Sequence, residues 1–245
     1  MTATAATDRT TDPAATAKPA AFSKLSYFDA IIQAEQEEME RNERVILMGE
    51  DVYIYAPKGF GSVDESRIKC MPISENSFAG MAVGAAMTGL RPIVDLTIAS
   101  FMYLASDQII NQAGKLHYMT GGQMKVPVVF RCSMWHGSAI AAQHSDRPYP
   151  MFMNAPGLKI LAPSTPAEMK GLLKSAVRDD DPVVIFEDNA LWPVKELVPT
   201  DLDFLIPQTD FICKGSGGFG REPLVMCPFG RGGCRIDFVA RRGTW

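Results

Sequence analysis

Two periods of apolar residues alternate along the chain. Ser26-x-x-Asp29 has the pattern of a capping box, and Tyr27, Ala30, Ile31 and Ala34 follow at i, i+3, i+4 and i+7, one face of a helix. The charges from Glu35 to Arg44 predict a solvated far end. Val45-Ile-Leu-Met48 reads as a short strand closed by Gly49-Glu50-Asp51, and Tyr53 to Ser66, with Pro57, Gly59 and Gly61, reads as a loop. Ile68 to Ile73 is a second extended run, broken by Pro72. A helix follows from Glu75, with Gly89 as its C-cap, and then a strand over Arg91–Thr97. Phe101 to His117 is predicted as one helix burying Ala105, Ile109, Ala113 and Leu116, stopped by Thr120-Gly-Gly122. Val126–Arg131 is a buried-looking strand, Cys132–Pro150 an irregular polar stretch, and Leu158–Ala162 another strand. Thr165-Pro-Ala-Glu168 combines an N-cap, a proline at the first helical position and a capping-box glutamate. The helix it opens buries Met169, Leu172, Leu173 and Ala176, ends at Asp179–Pro182, and leads into the strand Val183–Phe186.

Strand and helix alternate from Ser26 to Glu187, which predicts a three-layer α/β domain with a mainly parallel sheet. Ligands of such sheets sit beyond the carboxyl ends of the strands. Glu75, the segment after Thr97 and the segment after Arg131 all fall at such ends, so unusual chemistry converges on one edge. Around Glu75, Phe78, Met81, Val83 and Met87 are interleaved with Ala79, Gly80, Ala82, Gly84, Ala85 and Ala86. Each glycine inside a helix costs about 1 kcal/mol against alanine, and Gly80 and Gly84, four apart, share a face. Tight packing against another backbone explains the small residues. Glu75 itself is either solvated at a helix N-terminus or buried for a functional reason. His144, between Gln143 and Ser145, sits in a polar setting suited to proton transfer. His117 and His136 lack such neighbours.

Composition narrows the classes. Of 245 residues 47% are apolar, enough for a sizeable core, and the net charge of -4 provides no basic footprint for nucleic acid. No apolar run reaches the ~18 residues needed to cross a membrane. The five cysteines are odd in number, scattered and without a C-x-x-C pair, as expected of reduced cytosolic thiols. Residues 1–21 are mostly Ala, Thr and Pro and are expected to be a disordered lead-in; Asp8, Asp12 and a lone Arg9 argue against a transit peptide, so the cytoplasm is expected rather than the mitochondrial matrix. Residues 22–207 form the expected domain. Residues 208–245, rich in Gly and Arg, show no period; a flexible tail, out-of-frame translation and a truncated second domain all fit.

Nine segments then appear in a telling order: Pro72-Ile-Ser-Glu75, Gly80-Met-Ala-Val-Gly-Ala-Ala86, Gly89-Leu-Arg-Pro92, Asp107-Gln-Ile-Ile-Asn111, Met119-Thr-Gly-Gly122, Pro127-Val-Val-Phe-Arg131, Ala142-Gln-His-Ser145, Pro156-Gly-Leu-Lys159 and Asp181-Pro-Val-Val184. Together they resemble the β subunit of thiamine-diphosphate-dependent 2-oxo acid dehydrogenase E1 components, the pyruvate, branched-chain and acetoin type. The resemblance covers roughly Leu25 to Pro207 and implies the transketolase-like pyrimidine-binding domain.

That resemblance implies roles position by position. Glu75 is matched to the glutamate that contacts N1′ of the cofactor's aminopyrimidine, Phe101 to the aromatic residue against that ring, Ile73 to the same pocket wall, and His144 to the active-site histidine. Glu75 is expected to be buried among Ile73, Phe78 and Phe101. A potassium ion is implied at carbonyls of Val128, Ala176, Val177, Asp179 and Asp181. No G-D-G with a following Asn-Asn is present, so an α subunit is expected to hold magnesium and the diphosphate in an α2β2 assembly. The implied reaction is oxidative decarboxylation of a 2-oxo acid with acyl transfer to a lipoyl-bearing acyltransferase, E2. An acetoin dehydrogenase β subunit and a truncated, non-catalytic pyrimidine-domain module are the alternatives. Cys132-Ser-Met-Trp-His136 and Asp146–Met153 depart from the family pattern near the expected substrate mouth. The family's second α/β domain, used for subunit contacts and docking, has no counterpart in residues 208–245.

Overall fold

A computed structural model describes residues 21–56, 59–135 and 140–206. The expected lead-in and tail therefore lie outside the described residues, apart from Ala21, as does His136. The elements run β1 (Phe22–Ser26), α1 (Tyr27–Arg41), β2 (Val45–Gly49), α2 (Val52–Tyr55), β3 (Ile68–Cys70), α3 (Glu75–Met87), β4 (Arg91–Ile98), α4 (Gly114–Met119), β5 (Val129–Met134), α5 (Tyr149–Met153), β6 (Lys159–Leu161), α6 (Pro166–Arg178), β7 (Val183–Asp188) and β8 (Lys195–Pro199). The first capping signal forms in full and the second in part, since the Glu168 carboxylate bonds Ser164 and not the Thr165 N–H. Ser26 and Asp29 bond reciprocally at the start of α1, and the Thr165 side chain accepts the Glu168 N–H at the start of α6.

Six strands form one parallel sheet in the order β3-β2-β4-β5-β7-β6. From β2 the chain goes on to β3 on one side; from β4 it goes on to β5 on the other. The strand order thus reverses between β2 and β4, where a crevice opens in sheets of this kind. Gly49 lies opposite Asp95 there. A Cβ at Gly49 would sit 2.5 Å from the Asp95 carbonyl oxygen, so only glycine permits this spacing. One face of the sheet carries α1 and α6, burying Tyr27, Ile31, Leu172 and Leu173 with Leu47, Ile93 and Ile185. The other carries α3 and the helical run 99–119, burying Phe78, Ala82, Met102 and Ile109 with Val94, Phe130 and Phe186. The three-layer reading is borne out.

Several expectations need correction. The far end of α1 is solvated on one side only: Glu40, Arg41, Glu43 and Arg44 are exposed, whereas Glu35 and Glu38 are fully buried, because Arg131 reaches Glu35 from β5, and Arg178 and Arg41 hold Glu38. The predicted helix 101–117 is three pieces, a 3-10 turn (Ala99–Tyr103), a π segment (Asp107–Ala113) and α4. Gly114 at the last junction admits the backbone of Gly157, which has φ +85° and whose Cβ would overlap the Gly114 carbonyl oxygen. β5 starts at Val129, two residues past Pro127, which lacks an N–H for the ladder, and it runs on to Met134. The loop 53–66 holds the last residues of α2 and the start of a 3-10 turn (Glu65–Arg67). An antiparallel pair was not anticipated: β1 joins β8, with Leu25 opposite Glu196. Their polar, half-exposed strands carry little hydrophobic signal.

Candidate functional site

The carboxyl edge of the sheet at the β2–β4 reversal gathers acidic groups. Glu75 opens α3 and is 4% exposed, so the choice between a solvated and a buried carboxylate falls to burial. Ile73 plays no part in that burial. It is 85% exposed, because the turn after edge strand β3 carries it outward. Phe78 is fully buried and Phe101 half-buried.

Sequence reasoning treated Glu50 only as the end of a strand. It is the first residue past β2 and is 8% exposed. Burial above all, and then the negative charge of Glu75, push its carboxyl up to about 7. One of its oxygens, Oε1, is buried without a hydrogen-bond partner among the described residues. Two neighbouring carboxyl groups thus sit in one recess, and one of them keeps its proton near neutrality. An acidic residue immediately after a buried strand was the available signal.

The second cluster follows β4 and β5. Phe101 and His144 meet edge-to-face, with ring centroids 5.4 Å apart and an interplanar angle of 70°. His144 Nδ1 lies 3.1 Å from the Ile140 carbonyl. A carbonyl only accepts, so Nδ1 carries the proton and Nε2 is left as the basic nitrogen. Ser145 Oγ donates to the Ala141 carbonyl at 2.7 Å, and Ser100 Oγ donates to the Gln143 carbonyl. The described residues with positive φ other than glycine are Thr97 (57°) and Ala141 (74°), and each precedes one of these two rings in the chain, Thr97 before Phe101 and Ala141 before His144.

Behind the edge, one guanidinium holds three carboxylates. Arg131 Nε reaches Glu35 at 2.8 Å, Nη1 reaches Glu187 at 2.6 Å and Nη2 reaches Asp95 at 2.6 Å, all buried. The cluster has an excess of two negative charges if all are ionised. Burial pushes Glu35 up to about 7, with Arg131 opposing and Asp95 and Glu187 reinforcing the rise.

The expected cation carbonyls lie at the opposite, amino edge of the strands. Val128 O accepts from Val183 N, and Ala176 O accepts from Asp179 N. Arg91 Nη1 donates to Val177 O at 3.0 Å and to Asp179 O at 2.7 Å, while Lys159 Nζ reaches the Asp179 carboxylate at 2.5 Å and that of Asp181 at 3.2 Å. Two cations of the chain itself already serve this turn. Among the described residues no cluster of three or more His, Cys, Asp or Glu side chains could hold a metal ion.

A parallel α/β sheet with a buried acid at its switch point defines a class, and comparison with known proteins agrees. The family described as "Transketolase, pyrimidine binding domain" matches residues 23–194, and the chain belongs to that family. Among curated proteins it is 47% identical over 202 residues to "Pyruvate dehydrogenase E1 component subunit beta" of Porphyra purpurea, covering 79% of this chain and 61% of that protein. It is 43% identical over 198 residues to the mitochondrial protein of the same name from Rattus norvegicus, covering 77% and 55%. The chain thus spans well under two thirds of the length of these relatives. Among solved structures, "Split gene transketolase, inactive beta4 tetramer" superposes with a TM-score of 0.60 at 21% identity, over 75% of this chain and 57% of that one, a likeness of fold.

Proposed function

We propose that this chain is the pyrimidine-binding part of a 2-oxo acid dehydrogenase E1 β subunit, working with an α subunit on pyruvate or a close analogue. The observation that carries the reading is Glu75, a carboxylate taken out of water at the switch point of the sheet with a second, proton-holding carboxyl, Glu50, beside it. A buried acid of this kind is suited to exchanging a proton with a ring nitrogen in a dry recess. Thiamine diphosphate, when bound, supplies the electron sink that decarboxylation of a 2-oxo acid requires. Glu75 would hold the aminopyrimidine at N1′, Phe101 would pack against the ring, and Ile73 would face it once a partner covers the edge. His144, with Nε2 free, would move a proton at the substrate or meet the incoming lipoyl arm of E2.

The surface supports a partner that closes the site. Ile73, Met81 (57%) and Leu104 (63%) are exposed apolar residues on this side, and a Cβ at Gly84 would meet nothing within 4 Å. Among the described residues nothing packs against glycine at that position, and its lack of a side chain would let another backbone approach α3. An α subunit holding magnesium and the diphosphate is the partner proposed. A potassium ion at the amino-edge turn receives no step here, since Arg91 and Lys159 already supply positive charge.

The test is co-expression with a cognate α subunit and dye-linked decarboxylation over a panel of 2-oxo acids and acetoin. Turnover that depends on thiamine diphosphate and is lost by at least about a hundredfold in Glu75→Gln supports the reading. A folded complex in which Glu75→Gln matches the parent rejects it. A chain that stays alone and inactive favours the non-catalytic module, and acetoin cleavage without 2-oxo acid turnover favours the acetoin relative.

A further inference from the structure

We propose that Asp95 is a positioning residue for the Phe101–His144 pair, acting by clamping Thr97 in a left-handed backbone conformation. The inference rests on the reading of that pair as part of the active site. Between β4 and β5 the register slips: Asp95 faces Arg131 and Ile98 faces Ser133, so three steps in β4 match two in β5. The extra residue is a β-bulge, and bulges re-aim the side chains that follow. Thr97 falls within it at φ 57°, a region that β-branched residues avoid. Its N–H donates to Asp95 Oδ1 at 2.8 Å, while Asp95 Oδ2 is held by Arg131 at 2.6 Å. Arg131 is itself pinned by Glu35 and Glu187. The clamp therefore has a rigid, buried base.

Consequences run forward along the chain. Ile98 leads directly into the 3-10 turn Ala99–Tyr103. That turn presents Ser100, whose hydroxyl holds the Gln143 carbonyl, and Phe101, whose ring meets His144. Both contacts join the bulge to the loop carrying the histidine. Among the described residues Thr97 Oγ1, which is buried, has no hydrogen-bond partner, so the threonine hydroxyl does not hold the conformation. Thr97 lines a cavity of about 10 Å³ with Phe28, Asp95, Arg131, Ser133 and Trp192, room for a single water. What keeps Thr97 in place is its backbone bond to Asp95.

The experiment compares the full chain with Asp95→Ala, Thr97→Gly and the double variant by hydrogen exchange and mass spectrometry. Glycine adopts the left-handed region unaided, so it should make the clamp dispensable. Asp95→Ala is expected to speed exchange at 97–103 and 140–145 by about tenfold or more, leaving α1 and α6 near the parent. The double variant should return both segments to within about threefold of the parent. Uniform loss of protection that includes α1 and α6, or no rescue by glycine, would overturn the proposal. Should Asp95→Ala not fold, the double variant decides: a fold recovered by Thr97→Gly supports the clamp, and a double variant that also fails to fold overturns it. In the α–β complex, kcat should fall about tenfold in Asp95→Ala and recover in the double variant, with KM for the 2-oxo acid little changed. If the parent complex shows no turnover, the active-site reading fails, and the exchange pattern alone still decides the clamp.

Discussion

Glu35→Gln should stabilise this protein above neutral pH, although it removes one partner of a buried arginine. Two effects compete. Breaking a buried ion pair by deleting one member typically costs about 3–5 kcal/mol, because a charge is left alone. Here Arg131 is not left alone: Asp95 and Glu187 each hold it at 2.6 Å. The excess in this cluster is negative, and Glu35 bears it, pushed from 4.5 up to about 7. The folded chain thus retains a proton that the unfolded chain has released. Stability falls as pH rises from 4.5 to about 7 and stays lowered above that. At roughly 1.4 kcal/mol per pH unit, the interval from 4.5 to about 7 amounts to about 3 kcal/mol. Glutamine mimics the neutral carboxyl and keeps an oxygen for Arg131 Nε, so the variant escapes the loss. Urea unfolding of parent and variant from pH 4.5 to 8.5 measures the difference. With a slope of about 2 kcal/mol per molar urea, the midpoints should differ by about 1.5 M at pH 8 and converge near pH 5. Midpoints that stay parallel over the range, or a variant weaker than the parent at pH 8, would refute the reasoning.

Other consequences can be measured separately. Glu50→Gln should act in the same direction, raising stability relative to the parent above pH 7 and leaving it unchanged near pH 4.5, because the Glu50 carboxyl is also pushed up to about 7; a variant less stable at pH 8 contradicts this. Gly49→Ala would set a methyl 2.5 Å from the Asp95 carbonyl oxygen and 2.8 Å from its Cβ, a clash with backbone that cannot turn aside. A cost of about 2–3 kcal/mol is expected, lowering the thermal midpoint by about 4–12 °C, and a midpoint within about 2 °C of the parent would count against it. Gly171→Ala would bring a Cβ within 2.6 Å of Ile206 Cγ1 and 3.1 Å of its backbone nitrogen. The 204–206 segment should lift from α6 and be cut faster by chymotrypsin at Phe204; an unchanged cleavage rate means that the seat is not there.

How much was legible depended on how local the signal was. The two N-caps, the two apolar helix faces and the alternation of strands and helices are written in residues close together in the chain, and all of them formed. Glu75 was found because its surrounding motif is local too. Ile73, a neighbour two residues away, was misjudged as cover for it, since adjacency in sequence says nothing about which way a turn beyond an edge strand points. The charged far half of α1 misled for a related reason. A run of glutamates reads as solvated until a guanidinium from β5 buries Glu35 and another from α6 buries Glu38, while Glu40 and Glu43 stay exposed.

Local patterning alone therefore determined the α/β class, the order of elements and the edge of the sheet where chemistry should gather. Pairing decided by distance was invisible to it: Arg131 with Glu35, Asp95 and Glu187; Glu50 with Glu75; and β1 with β8. Helix and strand periods arise from the geometry of neighbouring residues. The burial that drives a carboxyl upward, and the arginine that anchors Asp95, come from groups tens of positions apart that meet only once the sheet has closed around them.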